Sequence, residues 1–261
     1  MPVPFLRKPM LTDHSVDPKN GKPPEYLVIF FHGYGSNGEL MAEQVGSLLG
    51  PLLPEAKIRC PDGPIEFYKM PDGKSGCSWF EIRDLFDGDN LPEDRGEIAR
   101  RASAAAKEMN DYIDKVIAEE GISKDRVIIA GYSQGGTMAF YTGLLRDEAV
   151  AGVYALSGGA LDLLEHPVSK PPVGLVAGGR EAQDYSGFPQ AQKTHKALDA
   201  AGFFTDCVVI PDQGHNLSWK SMELLSVFTR AVTSDGFKAK VAAEQDNLPA
   251  KKIHRPRSPR P

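Results

Sequence analysis

Five short runs of apolar, mostly β-branched or aromatic residues constrain the fold most: Tyr26–Phe31 (YLVIFF), Arg126–Ala130 (RVIIA), Gly152–Leu156 (GVYAL), Val173–Ala177 (VGLVA) and Cys207–Ile210 (CVVI). None shows the polar alternation of a strand with one face in water. Strands buried on both faces read this way, which implies a parallel sheet covered by helices on either side. The intervening segments agree. Glu97–Glu120 spaces Ile98, Ala102, Ala105, Met109, Tyr112 and Val116 at steps of three and four, with Gly121 behind as a stop. Residues 134–146, 189–201 and 217–231 read as further helices, the third of these four followed by Gly202. A βαβα succession with right-handed crossovers predicts an α/β class, single-domain, doubly wound and mostly parallel sheet. In such sheets ligands sit beyond the carboxyl ends of the strands, so chemistry is expected in the loops that follow them.

The expected domain runs from residue 25 to residue 232. Residues 1–24 form a Pro- and Gly-rich N-terminal extension and residues 233–261 a basic, Pro-rich tail without regular structure. The stretch Pro61–Asn90, with PDGP, PDGKSG and DGDN, reads as a long turn-rich loop shaping a site. A chain of 261 residues buries enough surface to need neither disulfide nor structural metal. The three cysteines, Cys60, Cys77 and Cys207, are far apart, lack CxxC spacing and suit a reducing compartment.

The N-terminus lacks the apolar region of a signal peptide, and no run approaches the roughly 18 apolar residues that span a bilayer. A cytoplasmic location without stable membrane insertion is therefore expected. Net charge is −5, but residues 236–261 carry seven Lys/Arg against two acids, so the tail is +5 and the body −10. Such a body is a poor ligand for a phosphate backbone, which excludes nucleic acid as a partner. The tail reads as a solubilising extension, with docking to an anionic surface as the alternative.

Gly131-Tyr132-Ser133-Gln134-Gly135 follows RVIIA directly and precedes the apolar Thr137–Leu145, the strand–turn–helix context that a G-x-S-x-G elbow requires. The glycines relieve crowding around a strained serine whose hydroxyl stands at a helix N-terminus, where developing negative charge is favoured. A serine hydroxyl needs a base. His215 is the candidate, because it follows CVVI through Pro211-Asp212-Gln213-Gly214 and so lies on a loop at the same sheet edge; His14, His166, His195 and His254 read as solvated surface. The acid that orients it should follow VGLVA, where two compete. Counting forward from the strand favours Glu181, and counting back from the next helix favours Asp184, which is the preferred candidate with Glu181 as alternative. The backbone N–H groups of Tyr34, in the HGYG loop after the first strand, and of Gln134 are the expected oxyanion donors; His32 reads as a histidine fixing that loop.

FFHGYGSNG, SWFEI (Ser78–Ile82), GYSQGG, ALSGG (Ala155–Gly159) and QGH, taken together and in this order, resemble the phospholipase/carboxylesterase family of the α/β hydrolases, which includes the acyl-protein thioesterases. There the motifs appear as an HGxG loop, a GFSQGG elbow, an SGxL strand end, an HGxxD acid loop and a GH. The resemblance implies an α/β-hydrolase fold, Ser133 as nucleophile, His215 as base, Tyr34 and Gln134 as oxyanion donors, and Trp79 beside the acyl site. Trp79 reads equally as substrate contact or packing anchor. The chain departs from the pattern at the acid: Ala177-Gly178-Gly179-Arg180-Glu181 stands where the family has HGxxD, so strict alignment selects Glu181, and an insertion restores Asp184.

The expected function is a serine carboxylesterase or thioesterase acting on small to medium acyl esters, lysophospholipid or acyl-protein, without metal or organic cofactor, as monomer or homodimer. The alternatives are a hydrolase of another bond on the same fold (peptidase, polyester or carbohydrate esterase) and a silent module that holds an acyl ligand.

Overall fold

The computed structural model describes residues 6–7, 12–69, 73–82, 95–160, 167–181 and 191–246. In chain order these form β1 (Leu6–Arg7), β2 (Asp13–Val16), β3 (Tyr26–Phe31), α1 (Gly38–Leu48), β4 (Ala56–Pro61), β5 (Ile65–Lys69), β6 (Ser75–Ser78), α2 (Arg95–Glu120), β7 (Val127–Tyr132), α3 (Gln134–Leu144), β8 (Gly152–Leu156), β9 (Val173–Gly178), α4 (Ala191–Ala200), β10 (Thr205–Ile210), α5 (Trp219–Val232) and α6 (Asp235–Asp246). A seven-stranded sheet runs in the order β10-β9-β8-β7-β3-β4-β2, parallel except for β2 at one edge.

The continuous apolar runs do what their composition demands. All six residues of β3 are buried. Successive side chains of a strand point to opposite faces, and β3 divides accordingly. Leu27, Ile29 and Phe31 join Ile113 of α2, Met138 of α3 and Leu198 of α4 on one face; Val28 and Phe30 join Val45 of α1 and Leu225 of α5 on the other. Burying side chains of this size contributes about 1.5–3 kcal/mol each. α2 ends at Glu120 and α4 at Ala200, and the expected stop glycines adopt the left-handed conformation, Gly121 with φ 61° and Gly202 with φ 76°. Among the described residues, no helix is long and apolar enough to cross a membrane.

β3 leads through α1 to β4 on one side, whereas β7 pairs with β3 on the other. The loops after β3 and β7 therefore flank the point where strand order reverses, the place where open α/β sheets bind ligands.

Two features differ from the sequence expectation. Part of the turn-rich stretch from Pro61 to Asn90 is regular: β5 and β6 pair antiparallel, Ile65 opposite Ser78 and Lys69 opposite Ser75, with β1 alongside β5. The run between PDGP and PDGKSG, Ile65–Lys69, supplies one strand of this hairpin, and Ser75–Ser78 supplies the other. Regular structure also extends beyond 25–232. Residues 13–16 pair with β4 as an antiparallel edge strand, and the segment expected as a basic tail opens with helix α6, whose Phe237 meets Phe204 edge-on at 5.6 Å between ring centroids.

Candidate active site

β7 ends in Tyr132 and α3 starts at Gln134, leaving Ser133 alone in the turn with φ 57° and ψ −120°. The flanking glycines are sterically required. A Cβ on Gly131 would overlap the Gly135 carbonyl, and one on Gly135 the Phe31 carbonyl. The Ser133 amide donates to the Leu156 carbonyl at 2.8 Å, anchoring the turn on β8. Its hydroxyl does not cap α3. Instead it lies 2.8 Å from Nε2 of His215.

His215 is held by its own loop and by the elbow. The Tyr132 hydroxyl donates to the His215 carbonyl at 2.6 Å, and the two rings face each other at 5.1 Å. Downstream, Gln213 Nε2 donates to the Asn216 carbonyl at 3.0 Å, and Ser218 and Ser221 close a capping box at the start of α5. The loop after β9 packs against this one backbone to backbone. The Gly179 amide donates to the Ile210 carbonyl at 2.7 Å and the Arg180 amide to the Gln213 carbonyl at 3.1 Å. A Cβ on Gly178 would overlap the Gln213 carbonyl and one on Gly179 the Pro211 carbonyl, so this pair of glycines makes the approach possible.

Glu181 Oε1 lies 3.8 Å from Nδ1 of His215, with both side chains largely covered. The same oxygen accepts the Gly178 amide at 3.0 Å and the Ser157 hydroxyl. Asp184, the preferred acid of the sequence reading, lies outside the described residues. Of its two candidates, Glu181 is the one the described residues bring to the histidine.

The loop after β3 adjoins the elbow closely: a Cβ on Gly33 would stand 3.5 Å from Ser133 Cβ. Tyr34 follows on this loop. Gln134 opens α3, where the first amides have no intrahelical acceptor. His32, fully buried, fixes the loop from beneath. Its Nε2 accepts the Gly63 amide at 2.8 Å and its Nδ1 faces the Gly33 carbonyl at 2.8 Å. That pattern is satisfied by the neutral ring with the proton on Nδ1. Burial lowers its pKa to about 4, against the smaller opposing effects of the Gly33 carbonyl and the Asp62 charge.

Trp79 is 1% exposed and sits within the core, not on an open wall. Its indole N–H donates to the His32 carbonyl at 2.8 Å, and its ring packs on Phe31 and His32 at centroid distances of 4.8 and 4.7 Å. The anchor role is thus the one its contacts satisfy. Sequence reasoning missed the Gln134 side chain. Its Oε1 accepts the Trp79 amide at 3.2 Å and its Nε2 donates to the Phe80 carbonyl at 2.8 Å, clamping residues 78–80 onto the elbow.

A strained serine between a parallel strand and a helix, with a histidine from the last strand's loop at hydrogen-bond distance, defines the α/β-hydrolase fold. The sequence pattern of the phospholipase/carboxylesterase family matches residues 13–233, and the chain belongs to that family. It is 30% identical to acyl-protein thioesterase 1 of Mycosarcoma maydis over 146 residues, which span 54% of this chain and 60% of that protein. It is 25% identical to esterase YpfH of Escherichia coli over 215 residues, 82% of this chain and 86% of that one. Among solved structures it resembles esterase PE8 (TM-score 0.69, 23% identity, 85% of this chain and 99% of that one) and acyl-protein thioesterase 2 of Zea mays (TM-score 0.64, 20% identity, 85% and 99%).

Proposed function

We propose that the protein is a serine esterase or thioesterase in which Ser133, His215 and Glu181 form the catalytic triad. The observation that carries this reading is the 2.8 Å contact between Ser133 Oγ and His215 Nε2 at an elbow whose backbone is strained to present that oxygen. A serine held this way is not an incidental cap.

In the proposed cycle Nε2 of neutral His215 accepts the Ser133 proton as Oγ attacks the acyl carbonyl carbon. The carbonyl π electrons move to oxygen, and the N–H groups of Tyr34 and Gln134 stabilise the resulting oxyanion. Collapse of the tetrahedral intermediate breaks the bond to the alcohol or thiol, which leaves with the proton from His215. Water then attacks the acyl-enzyme, its proton passing to His215 and onward to Ser133 Oγ, and a carboxylic acid is released. Glu181, with Oε1 3.8 Å from Nδ1, favours through its charge the tautomer with hydrogen on Nδ1 and Nε2 as acceptor, and stabilises the imidazolium while it exists.

The family and the names of its relatives support esters or thioesters as the substrate class. The test is hydrolysis of p-nitrophenyl esters of two to twelve carbons, beside a lysophospholipid and an acyl-thioester. Ser133→Ala and His215→Ala should each abolish turnover with an unchanged melting temperature. Full activity in either variant overturns the proposal.

A further inference from the structure

Among the described residues only two that are not glycine have positive φ: Ser133 at 57° and Ser157 at 51°. They are neighbours in the sheet. β7 and β8 pair in parallel with Tyr132 opposite Leu156, so each serine is the first residue past its strand end. The Ser157 amide donates to the Val176 carbonyl at 2.7 Å, as the Ser133 amide donates to Leu156. Positive φ strains any residue with a Cβ and persists only where the surroundings over-determine it. At Ser133 the strain presents the nucleophile. At Ser157 glycine would be relaxed, so the side chain itself must supply something.

What it supplies is a hydrogen bond. Ser157, 4% exposed, donates its hydroxyl to Glu181 Oε1, the oxygen that also takes the Gly178 amide at 3.0 Å and faces His215 Nδ1 at 3.8 Å. A glutamate has one more rotatable bond than an aspartate, and its carboxylate sweeps a wider arc. Two fixed donors on one oxygen remove that freedom. We propose that Ser157 is a positioning residue that acts through Glu181, holding its carboxylate against His215 for the proton transfer at Ser133. This inference rests on the triad reading above.

The experiment is a double-mutant cycle in the full chain, with p-nitrophenyl acetate as substrate. Ser157→Ala and Ser157→Gly should each lower kcat about tenfold to a hundredfold, as expected for loss of a hydrogen bond to a charged group, with KM within about twofold. The glycine variant relieves the backbone strain, so it folds even if the alanine variant does not. In a Glu181→Ala background Ser157→Ala should change kcat by less than about twofold, because a residue acting only through Glu181 has nothing left to position. An equal loss in both backgrounds, wild-type kcat in both Ser157 variants, or a faster Ser157→Ala enzyme overturns the proposal. Failure of the triad reading looks different: Ser133→Ala would then retain activity.

Discussion

The phenol hydroxyl of Tyr132 donates to the main-chain carbonyl of His215 at 2.6 Å, so the residue before the elbow serine also restrains the loop that carries the histidine. Ser133 and the His215 loop are therefore registered by a bond that neither the serine nor the histidine side chain makes. Tyr132→Phe keeps the ring and deletes that bond. A neutral hydrogen bond contributes about 1 kcal/mol, so kcat/KM for p-nitrophenyl acetate should fall about fivefold, with little change in melting temperature. Steady-state kinetics of the purified variant check this.

Strain at Ser133 has a stability signature. Residues held in sparsely populated backbone regions cost about 1–3 kcal/mol, and glycine tolerates positive φ where alanine does not. Ser133→Gly should therefore be more stable than Ser133→Ala by about 1 kcal/mol, both lacking activity. Urea unfolding midpoints compare the two directly.

Trp79 is expected to act through packing. Trp79→Phe removes the indole N–H that meets the His32 carbonyl and leaves a void beneath the loop that follows β3. The loss should appear in kcat, equally for short and long acyl esters, with KM unaltered. A KM that changes with acyl length would mean that the ring touches substrate.

Stability should depend on pH through His32. Its pKa is lowered from 6.5 to about 4 by burial, so across that interval the unfolded chain binds the proton and the folded one does not. Stability is then fully present above about pH 6.5 and is lost as pH falls towards 4, by about 3 kcal/mol from this residue alone. His32→Gln should flatten that part of the profile, measured as urea midpoints from pH 4 to 7.5. Parallel loss in wild type and variant would show that His32 does not titrate in this way.

Much of the central sheet and the elbow is legible in local composition, because strands buried on both faces must be apolar throughout and a strained serine must have glycines two residues either side. β3 and β8 occupy the ranges read from their apolar runs, and β7 runs directly into the turn at Ser133. Elements held by partners are harder to read. β2, with the sequence DHSV, has no apolar pattern and exists through its pairing with β4. The acid is ambiguous for a similar reason. Counting residues cannot show that Gly178 and Gly179 admit the backbone of Pro211 and Gln213, which sets where Glu181 stands. The Gln134 clamp is equally invisible, since the glutamine already has a role through its backbone.

The two carboxylates can be separated chemically. Glu181→Gln should lower kcat by about three to four orders of magnitude, in line with loss of a triad acid, whereas Asp184→Asn should stay within about twofold of wild type. The reverse pattern would transfer the acid role to Asp184.

The proposed reacting atom is Ser133 Oγ. Incubation of the full chain with a fluorophosphonate, followed by digestion and mass spectrometry, tests it most directly. A single adduct is expected on Ser133, absent from Ser133→Ala and forming far more slowly in His215→Ala. No adduct at high probe excess, or an adduct on another residue, would contradict it.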